Sequence, residues 1–167
     1  YKLKQLQECM NQAVLLTAQY PQDVYAYEWI CKIYCENHKE QQSETWMMEI
    51  KSAISDYAQK LLEINANSGL ALLVQALFSS EQQQFVAARS LLQKALSVQP
   101  NYAVALELLA QTEMELGAYG MAERVWQQMG KTHTMIYALC LSHSNCQEKL
   151  HAALELALKE NKSNELV

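Results

Sequence analysis

The feature that most constrains this chain is an internal repeat of 34 residues. When the segment from Gly69 to Pro100 is moved forward by 34 positions, Leu72 falls on Leu106, Ala76 on Ala110 and Phe85 on Tyr119. Ala88 then falls on Ala122, Leu92 on Trp126 and Ala95 on Met129. In the main, small falls on small and large on large. A period in this range marks arrays in which one unit cannot bury its hydrophobic face alone, so neighbouring units stack. Composition says what the unit is made of. Half of the 167 residues are hydrophobic, enough to bury a core, yet Gly and Pro number only 4 and 2, where average usage gives roughly 20 in this length. Sandwiches and doubly wound α/β folds need more turn residues than that. The expected class is all-α.

The repeating unit carries a recognisable series. LGAYGMAERVW (Leu116 to Trp126) supplies a turn glycine, an aromatic and Ala-x3-aromatic in register, and FVAARSLLQKALSVQP (Phe85 to Pro100) supplies the aromatic and Ala-x3-large of that series with a closing proline. In this the chain resembles the tetratricopeptide repeat (TPR) family. The resemblance implies a right-handed α-solenoid of helical hairpins. The physics agrees with it: Ala76 and Ala110 in first helices, and Ala88, Ala95 and Ala122 in second helices, let backbones approach closely. A bulkier side chain there overpacks the contact at about 1–3 kcal/mol. Leu92 and Trp126 fill the space between units.

The same pattern divides the chain. Residues 1–20 read as a half repeat, a lone second helix with Cys9, Ala13 and Leu16 on one stripe. Residues 21–68 read as a repeat opened by Pro21, with Tyr27, Ile30, Cys31 and Tyr34 at the large, large, small and aromatic positions and a partner helix over 46–64 that turns Ala58 and Leu61 inward. Repeats over 69–102 and 103–130 follow, then a degenerate pair over 131–167. Cys31 to Leu61 is 30 residues, whereas the equivalent interval from Ala76 to Ala95 is 19. The eleven or so extra residues are expected in the polar stretch near 36–45, as a loop or as an extension of the flanking helices. Opening at Tyr1 rather than at a methionine, the chain reads as a segment of a larger protein.

Charge excludes several functions. Thirteen basic residues face 18 acidic ones, a net of −5, and only Arg89 and Arg124 are arginines. A surface that neutralises phosphates needs clustered Lys and Arg, so direct nucleic-acid binding is not expected. Apolar runs such as Leu70 to Val74 are far short of the roughly 20 residues that cross a bilayer, and no signal peptide is visible. Five cysteines (Cys9, Cys31, Cys35, Cys140, Cys146) make an odd count without framework spacing. They read as free thiols of a reducing compartment, which points to the cytoplasm and leaves the nucleus open. A zinc site would recruit Cys31, Cys35, Cys140, His143 and Cys146, but Cys31 and Cys35 lie in an apolar helical stretch rather than a tight loop.

Catalytic groups are thin. Glu113 and Glu115 diverge on a helix, and His38, His133, His143 and His151 stand at no triad spacing. No P-loop, GxGxxG, HExxH or GxSxG motif occurs. No enzyme activity, cofactor or metal is expected.

Binding is the remaining class. GLALLVQALF (Gly69 to Phe78) and YAVALELLAQ (Tyr102 to Gln111) offer Leu70, Leu73, Leu77, Val104 and Glu107 on the inner face expected of first helices. Neither stretch holds a lysine or asparagine, so the carboxylate clamp of chaperone-docking TPR proteins is not expected. Helices apolar on nearly all sides are buried on all sides, by a neighbouring turn or by a partner. With Tyr25 and Trp29 these residues form the candidate protein-binding groove. The reading is a scaffold segment of a larger TPR protein; the alternative is a self-contained peptide-binding module. The run from QYPQDVYAYEWICKIY through YAQKLLEINANSGLALL resembles the long TPR scaffold subunits of the superkiller complex. That resemblance implies RNA helicase and WD-repeat subunits and the exosome as partners, in cytoplasmic mRNA decay.

Overall fold

Helix formers such as Ala, Leu, Gln, Glu and Lys dominate between short polar breaks, and each break ends a helix. The computed structural model describes residues 2–37, 45–130 and 155. Among these it shows seven helices and no strand: α1 (Lys2–Gln19), α2 (Val24–Asn37), α3 (Thr45–Ile64), α4 (Gly69–Glu81), α5 (Phe85–Val98), α6 (Ala103–Glu115) and α7 (Tyr119–Gln128). The class is all-α, as the sparse turn residues require.

Three turns of the same build open α2, α4 and α6. The Asp23 N–H donates to the Tyr20 carbonyl at 3.0 Å, Ser68 to Asn65 at 3.0 Å, and Tyr102 to Gln99 at 3.2 Å. Side chains complete two of them: Ser68 Oγ accepts from the Ala71 N–H at 3.4 Å, and Asp23 Oδ1 accepts from the Tyr25 N–H at 3.0 Å. Caps of this kind stabilise by about 1 kcal/mol. The opposite tips use a left-handed residue to stop the helix. Gly117 has φ 72°, and Gln83, 34 positions earlier, holds φ 60° without being glycine.

The three opening turns measure the repeat. Tyr20 and Asn65 stand 45 residues apart, Asn65 and Gln99 only 34, so one interval carries eleven extra residues. These do not all lie in the stretch 36–45. Glu36 and Asn37 belong to α2 and Thr45 opens α3; residues 38–44 lie outside the described ones. The helix α3 has 20 residues against 14 in α5, and the two end at equivalent positions, Ile64 and Val98. Six of the extra residues therefore lengthen the start of α3. The degenerate pair expected over 131–167 also falls outside the described residues.

Two compact units divide the chain, residues 1–104 and 105–167. In the first, each of α1 to α4 packs on the next helix, and α2 also packs on α4. That last contact is one hairpin stacked on another. Small side chains allow it: Ala26, Cys31, Ala58, Ala71, Ala76, Ala88 and Ala95 are all buried. Leu61, Leu73 and Leu92 fill the remaining space without exposure. Aromatic pairs tie α2 to α4 and to α3. Tyr34 stacks on Phe78 with ring centroids 5.7 Å apart, and Tyr27 meets Tyr57 at 6.2 Å, contacts that stabilise by about 0.5–1.5 kcal/mol each. In the second unit Ala110, Ala122 and Trp126 form a core with Met114, Val125 and Met129 around it.

The helix α1 buries Met10, Ala13 and Thr17, whereas Cys9 and Leu16 are exposed. The stripe Cys9–Ala13–Leu16 does exist, but only its alanine is covered.

Candidate protein-binding groove

The turn over Tyr20 to Asp23 folds α2 back along α1, and the two helices lay parallel stripes beside each other. On α2, Tyr27, Ile30, Cys31 and Tyr34 face inward. The opposite side of that helix carries Tyr25 and Trp29, four residues apart and so on one face. On α1, Leu6, Cys9, Ala13 and Leu16 recur at the same helical spacing. Between the stripes lies an open groove of about 710 Å³, floored by these side chains and Ile33. Its large apolar groups are well exposed: Tyr25 73%, Trp29 57% and Leu16 44%. Lys32 extends over Trp29 with its Nζ 5.3 Å from the ring centroid, a cation–π contact that stabilises by about 0.5–1 kcal/mol at exposed sites. Among the described residues the charged rim has Glu8, Asp23 and Glu36 against Lys32.

The seven residues expected to line one groove separate into five places. Tyr25 and Trp29 line the groove just described. Leu70 instead borders a second depression of about 480 Å³ with Lys32, Glu36 and the turn from Gln99 to Tyr102. Leu73 and Leu77 are core residues of the first unit, because α4 is enclosed by α2, α3 and α5; their assignment to an accessible inner face is corrected. Val104 closes the first unit, half-buried, while Glu107 is half-buried in the second. What sequence reasoning missed is the α1 wall. Its signal was present as the stripe Cys9–Ala13–Leu16, to which no partner face was assigned.

Titration of the inner residues follows burial. The Cys31 thiol is pushed up to about 12, first by burial and then by the charge of Glu28. Cys35 is raised well above its ordinary value by burial and by Cys31. Neither forms a disulfide. Among the described residues no group of three or more His, Cys, Asp or Glu gathers to hold a metal; Cys140, His143, Cys146 and the four histidines lie outside them. The Tyr102 phenol in the second depression is raised by burial, with Cys35 and Glu36 adding to it. Glu113 is buried and Glu115 exposed, so that pair of carboxylates does diverge. No helix among the described residues is long and apolar enough to cross a membrane.

No family model and no curated protein matches the chain. Solved structures do. The crystal structure of MamA is similar with a TM-score of 0.63 at 15% identity, over 92% of this chain and 89% of that one. A second MamA structure gives 0.61 at 14%, over 98% and 85%. TTC0263, a thermophilic TPR protein of Thermus thermophilus, gives 0.59 at 14%, over 92% and 75%. At such identities the likeness is one of fold, and the fold is TPR-like.

Proposed function

We propose that this chain is a protein-interaction segment of a scaffold and grips its partner through the groove between α1 and α2. The observation that carries this is the row of Leu16, Tyr25 and Trp29, large apolar groups left in water across an open groove. Contiguous exposed apolar surface on a folded protein marks an interaction site, and Trp and Tyr anchors dominate binding energy where they are buried by a partner. The net charge of −5 and two arginines support a protein ligand over a phosphate backbone. No enzyme chemistry is part of this reading.

The test is Trp29→Ala in the full chain. A hot-spot tryptophan contributes about 2 kcal/mol or more, roughly thirtyfold in affinity, so captured partners should be lost while the thermal melt stays close to wild type. Retention of every partner by the variant overturns the reading.

A finer reading is favoured by the strings Gln19–Tyr34 and Tyr57–Leu73, which resemble the superkiller scaffold subunits. On it the partners are the RNA helicase and WD-repeat subunits, with the exosome beyond them, and the place is the cytoplasm. Affinity purification read by mass spectrometry checks this: helicase and exosome subunits select it, and their absence removes it. The self-contained peptide module is selected instead if a short linear peptide is the whole of what the chain retains.

A further inference from the structure

We draw no further inference here: the strongest candidate, the depression of about 480 Å³ lined by Lys32 and Glu36 of α2, Leu70 of α4 and the turn from Gln99 to Tyr102, singles out no ligand, because the described charges that line it are one of each sign and the unpartnered Tyr102 hydroxyl is buried out of an occupant's reach.

Discussion

Leu16 and Leu61 occupy the same place in successive second helices, and one substitution at each measures how much a covering helix stabilises. Leu→Ala removes three carbons, about 2.4 kcal/mol of transfer free energy at full burial at roughly 0.8 kcal/mol per carbon. Leu61 has no exposure, so its loss also leaves a cavity among α2, α3 and α4. The cavity adds to the transfer loss and brings Leu61→Ala to about 3–4 kcal/mol, inside the usual range for a buried leucine. Leu16 is 44% exposed, so only about half of the transfer loss applies, near 1.3 kcal/mol. Water reaches the site and no cavity remains. The two variants should therefore differ by about 2 kcal/mol, or about 4–8 °C in melting temperature for a chain of this size. Urea titration followed by circular dichroism reads this as a lower midpoint for Leu61→Ala at an unchanged slope. Equal losses at the two positions would refute the correspondence between α1 and α3, and with it the account of the groove as an uncovered face.

Other expectations follow from the same packing. Ala88→Leu and Ala122→Leu should each destabilise by about 1–3 kcal/mol through overpacking, read as a lower melting temperature; unchanged melts would remove the repeat register. Gln83 holds φ 60° where the next repeat has Gly117, so Gln83→Gly should raise stability by up to about 1 kcal/mol and Gly117→Gln should lower it by a similar amount, both from urea midpoints. The Cys31 thiol is raised from 9.0 to about 12, so the folded chain holds a proton that the unfolded chain gives up. That contribution is full below pH 9 and is lost as pH rises toward 12; stability measured across this window should fall less steeply in Cys31→Ala. Iodoacetamide at pH 8, mapped by mass spectrometry, should label exposed Cys9 and spare buried Cys31 and Cys35 until urea is added.

The hairpins were legible because they rest on local spacing. A small residue at Ala76, Ala88, Ala95, Ala110 or Ala122 flanked by large ones has one use, a close helix contact, and all five are buried. The length of α3 was legible as well, since Trp46, Met47, Met48 and Ile50 continue its apolar pattern back to Thr45. The polar stretch before it was not, because Glu and Gln are polar enough for a loop and good enough helix formers to extend one. The site was legible only by faces. Periodicity groups Cys9 with Leu16 and Tyr25 with Trp29, but whether a third helix covers a face is a property of the neighbours. Leu73 illustrates the converse: its position on α4 fitted an inner groove, and α2 and α5 close over that helix. Gln83 gave no signal at all, because its left-handed backbone sits on a residue type that rarely adopts it.

The two ends of each hairpin in the first unit serve unlike purposes, much as a book has a spine and a fore-edge. At the spine lie the turns at Tyr20, Asn65 and Gln99, identical in hydrogen bonding although 45 and 34 residues separate them. At the fore-edge the length changes: α4 and α5 meet across Gln82 to Gln84, while between α2 and α3 the chain takes eleven more residues and puts six of them into extra helix. Insertions and deletions that drift into such a chain are therefore channelled to one edge. There they alter how far a page projects without disturbing how the pages are bound.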